Sequence, residues 1–149
     1  MLGEAHPKLA MLERNKVGEG TVEFNGIQVA YFITAKDMPM REHDLDLAEH
    51  LGYWDGELLF VSEAVPADFR EYVLWHELRE YTELGGNGTP GACLQASTEE
   101  LERVPDMMRY RYVRFRAQQF GRLVELFGSW EGVFADNLNQ SLTFWKQQC

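Results

Sequence analysis

The stretch His76-Glu77-Leu78-Arg79-Glu80 holds residues whose types and spacing could do chemistry. A His and a Glu four positions apart lie one turn apart on one face of a helix, so an imidazole nitrogen and a carboxylate oxygen can reach the same cation. Glu77, between them in sequence, is placed to take a proton from an attacking water. At about 100° per residue, Glu77 falls inside the arc formed by Phe69, Val73, Leu74, Leu78, Tyr81 and Leu84. His76 and Glu80 fall at the edge of that arc, and Arg79 points away from it. An unpaired carboxylate is costly to bury. Two carboxylates and an imidazole on an apolar face therefore call for a compensating cation or proton.

The elements that must position these residues can be read outward from the motif. Pro66-Ala67-Asp68 opens a helix that runs to about Leu84 and is ended by the Gly85-Gly86-Asn87-Gly88-Thr89-Pro90-Gly91 loop. A strand over Gly56–Ser62, with Leu58-Leu59-Phe60-Val61 as its body, precedes it. Earlier come a helical stub (Pro7–Lys16), then a hairpin of Thr21–Phe24 and Ile27–Ile33 turned by Asn25-Gly26, which accepts the positive φ of a type I′ turn. A short helix over Asp37–Leu51, stopped by Gly52, completes the N-terminal part. Downstream, a helix starts at Ala92 or Ser97 and reaches Arg103, before Pro105. Asp106 then caps a long helix to Phe127, whose apolar stripe is Val113, Ala117, Phe120, Val124 and Phe127. The last helix, Trp130–Trp145, carries Trp130, Phe134, Leu138 and Leu142 as a core stripe. The expected fold class is α+β, a small antiparallel sheet in the N-terminal third packed with four to five helices. With no internal repeat or linker, one domain spanning residues 1–149 is expected.

This order of strand, motif-bearing helix and following acidic helix resembles the gluzincin branch of the zincin metallopeptidases, whose H-E-x-x-H has its second His replaced here by Glu80. The resemblance covers Glu57 to Pro105. It implies His76 and Glu80 as metal ligands, Glu77 as the general base, and Glu100 or Glu99, from Ala96-Ser97-Thr98-Glu99-Glu100-Leu101, as the third ligand. The activity implied is metal-assisted hydrolysis of a peptide amide. Zinc is the ion the resemblance brings, but a second carboxylate in place of His supplies harder oxygen, which favours Mn²⁺ or Fe²⁺. Two carboxylates would also neutralise a divalent ion and weaken its pull on water. The alternative function is therefore a non-catalytic protein-interaction domain on a zincin-like scaffold.

Ordinary structural roles compete for several of these residues. The carboxylates of the motif could pair with arginines of a neighbouring helix. Ser97-Thr98-Glu99-Glu100 also fits a capping box, in which Glu100 would serve a helix N-terminus. Cys93 reads as a small buried residue, with metal ligation near the end of the motif helix or a catalytic pairing with His76 as the alternatives. His43 and His50 are two turns apart, about 10.5 Å along a helix, and read as surface histidines.

Charge bounds the partners. The chain carries Lys+Arg 14 against Asp+Glu 24 and a net charge of −10, which argues against general nucleic-acid binding. That charge is uneven. Arg103, Arg109, Arg111, Arg114, Arg116 and Arg122 cluster with Tyr110, Tyr112 and Phe115, opposed locally by Asp106 and Glu125 alone. Arg111 and Arg114 are the candidates for contact with a peptide or protein partner. The longest apolar runs are four residues, so no membrane span is expected. The N-terminus lacks the layout of an export signal, and Cys93 and Cys149 make no disulfide framework, so a reduced cytoplasmic chain is expected.

Overall fold

The computed structural model describes residues 13–35 and 59–149. The Asp37–Leu51 helix with His43 and His50, the first residues of the Gly56–Ser62 strand and most of the Pro7–Lys16 stub lie outside the described residues. Contacts divide the chain into two compact units, Met1–Arg70 and Glu71–Cys149. The fold is α+β: β1 (Lys16–Phe24), β2 (Ile27–Thr34) and β3 (Phe60–Ser62) come first, then α1 (Arg70–Glu83), α2 (Ala92–Arg103), α3 (Asp106–Phe127) and α4 (Val133–Gln148). Among the described residues, no helix is long and apolar enough to cross a membrane.

In the first unit β1 and β2 form the expected hairpin, with Val22 opposite Val29 and Phe24 opposite Ile27. Asn25 and Gly26 take φ of 52° and 81°, the pair of positive values that lets a two-residue turn follow the strand twist. β1 starts earlier than the sequence predicts, at Lys16. The sheet is mixed rather than purely antiparallel. β3 runs parallel to β2, pairing Phe32 with Phe60 and Thr34 with Ser62. A parallel neighbour needs a crossover of a dozen or more residues, and the segment between Thr34 and Phe60 is long enough to make one. β3 is buried throughout, which fits the unbroken apolar run Leu59-Phe60-Val61 leading through it in place of an alternating pattern. Arg70 ties off the unit, donating from Nε to the Val65 carbonyl (2.8 Å) and from Nη2 to that of Glu63 (3.1 Å).

The helical unit carries the motif. A 3-10 turn over Ala67–Phe69 leads into α1, and Asp68 and Glu71 sit near its N-terminus, where the helix dipole favours negative charge. Gly85 ends the run at φ 90°, and a Cβ there would collide with the Thr89 side chain, so the left-handed stop needs glycine. The Gly86–Gly91 loop is pinned by Asn137 of α4. Its Oδ1 accepts from the Gly91 N–H (3.0 Å) and its Nδ2 donates to the Thr89 carbonyl (3.1 Å). That clamp sets where α2 begins, and with it the position of Cys93.

Four sequence expectations shift in this unit. α2 begins at Ala92, so Ser97 lies inside the helix and forms no capping box; its hydroxyl instead donates to Ser141 Oγ (3.4 Å). Pro105, not Asp106, occupies the cap position of α3, and Asp106 opens the first turn. The buried faces of the last two helices are also rotated. α3 buries Tyr112, Val113, Arg116, Gln119, Phe120, Leu123 and Phe127, while Ala117 and Val124 are only half-buried. A charged side chain takes a place the apolar pattern assigned to its neighbour, because Arg116 finds a carboxylate there. α4 begins at Val133 and buries Ala135, Asn137, Leu138, Ser141 and Trp145. Trp130 precedes the helix, is partly exposed, and meets Phe127 edge-on at 5.0 Å. Tyr112 lies between Tyr72 and Trp145, with ring centroids 5.7 and 5.9 Å away.

Candidate metal centre

α1 is enclosed nearly all round over its middle, burying Val73, Leu74, Trp75, His76, Glu77, Leu78 and Glu80. The expected burial of the motif is therefore found, and it extends to Trp75, which lay off the predicted arc. Arg103 of α2 stacks its guanidinium 4.7 Å from the Trp75 ring, covering that side of the helix.

The His76 imidazole is the hub, at 1% exposure. Its two nitrogens face different partners. Nδ1 lies 2.7 Å from Glu100 Oε1, and Nε2 lies 3.0 Å from Glu80 Oε1 and 3.7 Å from Cys93 Sγ. Cys93 in turn accepts from Ser141 Oγ at 3.1 Å. Nε2, the Glu80 carboxylate and the Cys93 sulfur lie within 4.8 Å of one another, all buried, and this group could hold a metal ion. Sequence reasoning placed His76 and Glu80 here and favoured Cys93 as a packing residue over a metal ligand. Its spacing, on another helix beyond a loop, carries no periodic signal. A lone cysteine just inside a predicted helix start after the motif is the signal that was there to read.

Glu100 lies on the opposite side of the ring from this group. Its carboxylate is fully buried and accepts Arg116 Nε at Oε2 (2.7 Å), Arg116 Nη2 at Oε1 (2.8 Å) and the Tyr112 hydroxyl at Oε2. Arg116 completes its bonding with Gln119 Oε1 at 2.5 Å. Glu99, the other residue considered for a third ligand, turns outward. It takes Arg79 Nε at 2.8 Å and Gln95 Nε2 at 3.0 Å, tying α1 to α2. Glu77 is buried, and its negative charge helps hold the Arg116 guanidinium protonated.

Electrostatics follow from these neighbours. Burial alone would depress the imidazole pKa, but its bonds to Cys93, Glu100 and Glu80 outweigh that and hold it well above the usual histidine range. Burial also raises Glu100, yet the Arg116 charge and the His76 bond bring it below the ordinary carboxylate value. Burial pushes the Cys93 thiol up, with the Glu80 charge adding to it and His76 and Ser141 partly offsetting it. Burial and the Glu100 charge hold Tyr112 well above the usual phenol, so it donates as a neutral hydroxyl. Two fillings of the cluster balance charge equally well. Either His76 is a cation between Glu80 and Glu100, or His76 and Cys93 give up protons to a divalent ion.

Arg111 and Arg114, the candidate partner contacts, are both exposed on α3. Arg114 Nη1 donates to the Tyr110 hydroxyl at 2.8 Å, with its guanidinium 5.4 Å from that ring. No protein-family model matches the chain, and no curated protein or solved structure matches it.

Proposed function

We propose that the helical unit binds a divalent metal ion through His76 Nε2, Glu80 and Cys93, and that the chain is a metal-dependent hydrolase of zincin-like kind acting on peptide amides. The observation that carries the reading is the crowding of three electron-pair donors at one buried point. A hydrogen on Nε2 answers the Glu80 oxygen and the thiol keeps its own, so each proton joins one pair of atoms. A cation serves all three. The donor chemistry fits: imidazole, carboxylate and thiolate are each established ligands of divalent transition ions, and two anions neutralise the ion's charge. Three protein donors are also the number found in catalytic sites, which keep one position for water or substrate.

Such an ion supplies Lewis acidity, polarising a carbonyl and acidifying water. The protein's own residues do the rest. Glu80 and Cys93 present the negative donors, and His76 presents a nitrogen held in place by Glu100. Glu77, on the same helix and inside the same buried face, is the residue to accept a proton from water and pass it to the leaving amine.

Elemental analysis of protein purified without chelator or polyhistidine tag tests the reading. About one equivalent of metal is expected, and it should vanish in His76→Ala and Glu80→Ala. Metal-free protein under replete conditions would overturn it. Glu77→Gln should keep the metal while cutting hydrolysis of a fluorogenic mixed-peptide library by about 10²–10⁴-fold. Hydrolysis retained in that variant rejects Glu77 as the base.

A second reading, an interaction domain, rests on the outer face of α3. Met107 and Tyr110 are 90% and 68% exposed, one turn apart and beside the exposed Arg109, Arg111 and Arg114. Large apolar groups framed by arginines suit an acidic protein surface. Reversing charge in Arg111→Glu/Arg114→Glu should abolish capture of an acidic amphipathic test peptide while leaving the circular-dichroism spectrum unchanged. Undiminished binding would reject this face.

A further inference from the structure

The inner donors of the cluster are held by an outer set of residues, and the two sides of the His76 ring are held differently. On the Nδ1 side stands Glu100, whose oxygens are already committed to the two-pronged guanidinium of Arg116 and to the Tyr112 hydroxyl. Glu100, Arg116 and Tyr112 are each 0% exposed, so this arrangement lies away from the solvent surface. On the Nε2 side stand Glu80 and Cys93, and Cys93 is itself held by Ser141 from α4.

We infer that Glu100 is a positioning residue rather than a metal ligand: clamped by Arg116 and Tyr112, it accepts a hydrogen bond from Nδ1–H of His76 and leaves Nε2 to face the ion. The inference rests on the metal-binding reading above and assigns roles within it. The geometry makes the assignment. Both ring nitrogens face a carboxylate, Glu100 at 2.7 Å and Glu80 at 3.0 Å, but Glu100 is held in place by Arg116; with Glu80 given to the ion, hydrogen stays on Nδ1 and the neutral ring has its lone pair on Nε2. Glu100 cannot also reach the Nε2 side, because the ring separates them and Arg116 holds both its oxygens.

The same geometry states what Glu100→Gln would do. Arg116 has only donors, so it would take the amide oxygen, and the amide NH₂ would turn toward Nδ1. His76 would then carry its hydrogen on Nε2, the nitrogen the ion needs. A wrong tautomer, rather than a missing ligand, is the predicted defect.

Cobalt(II) titration of the full chain tests this, since thiolate-to-cobalt charge transfer reports Cys93 and the visible ligand-field bands report the donor set. Wild-type protein should bind one cobalt with a charge-transfer band. Cys93→Ser should lose that band. Glu100→Gln should keep the band and the ligand-field pattern at saturation, with affinity weakened about 10–100-fold. In the metal-free variant above the imidazole pKa, ¹⁵N spectra of the His76 ring should show hydrogen on Nε2. Unchanged affinity, or a ligand-field pattern that changes with Glu100→Gln, would overturn the inference while leaving the metal site standing. No cobalt bound by wild-type protein would overturn the metal-binding reading itself. If Glu100→Gln does not fold, Tyr112→Phe, which removes one donor from the same carboxylate, should weaken cobalt binding with the band retained; wild-type affinity in that variant counts against the clamp.

Discussion

Arg116→Ala should destabilise the protein by about 3–5 kcal/mol, the scale set by stripping one partner from a buried ion pair. The guanidinium is fully buried, meets both oxygens of Glu100, and lies 5.0 and 5.7 Å from the Phe120 and Trp145 rings. Removing it leaves the Glu100 carboxylate without its strongest counter-charge and opens a cavity among aromatic side chains. Urea unfolding measures the loss; a change below about 1 kcal/mol would mean the pair is not the anchor its geometry describes. A double variant separates charge from packing. Arg116→Met/Glu100→Leu removes both charges together and should lose less than the two single variants summed, because neither partner is stranded. Arg116→Lys should fall between, since a point charge cannot make the two-pronged contact.

The second large effect is a reversal in how stability depends on pH. In metal-free protein the folded-state pKa of His76 is raised well above its ordinary value near 6.5. Its contribution is therefore fully present below pH 6.5 and is lost as pH rises through the folded value. Stability of the chelated protein should fall on the alkaline side of neutrality. Metal loading changes the sign, because His76 and Cys93 must release protons before they can ligate, so the ion stabilises more as pH rises. At a free ion concentration of 1,000 times Kd the added stability is about 4 kcal/mol. Thermal melts in chelator and in excess ion between pH 6 and 9 should show opposite slopes. Parallel slopes would mean that protons alone fill the cluster and that no ion enters it.

Local pattern was sufficient for much of the architecture. Asn25-Gly26 specified its turn because few residue pairs tolerate positive φ twice, and the bounds of α3 at Asp106 and Phe127 followed from Pro105 and the end of the apolar periodicity. The α+β class followed from the same signals. The parallel pairing of β3 did not, because three buried residues, Phe60, Val61 and Ser62, do not state which neighbour they join. The turned faces of α3 and α4 were hidden for a related reason. Hydropathy places Ala117 and Val124 inward by default, and only a partner on another helix makes Arg116 and Gln119 better choices.

What the sequence by itself determined is the inner half of the candidate site. His76, Glu77 and Glu80 share a helix, and helical periodicity alone requires them to lie near one another and near an apolar face. What only the tertiary structure decided is everything that reaches the ring from elsewhere. Cys93 and Glu100 both stand on α2, and both lie downstream of the motif. One meets Nε2 beside Glu80, while the other meets Nδ1 and is claimed by Arg116. No spacing rule distinguishes them, because their roles depend on where the Asn137-pinned loop starts α2 and on where α3 puts its guanidinium. Periodicity sets neighbours within an element; the choice between ligand and support is made by groups that meet only when elements pack.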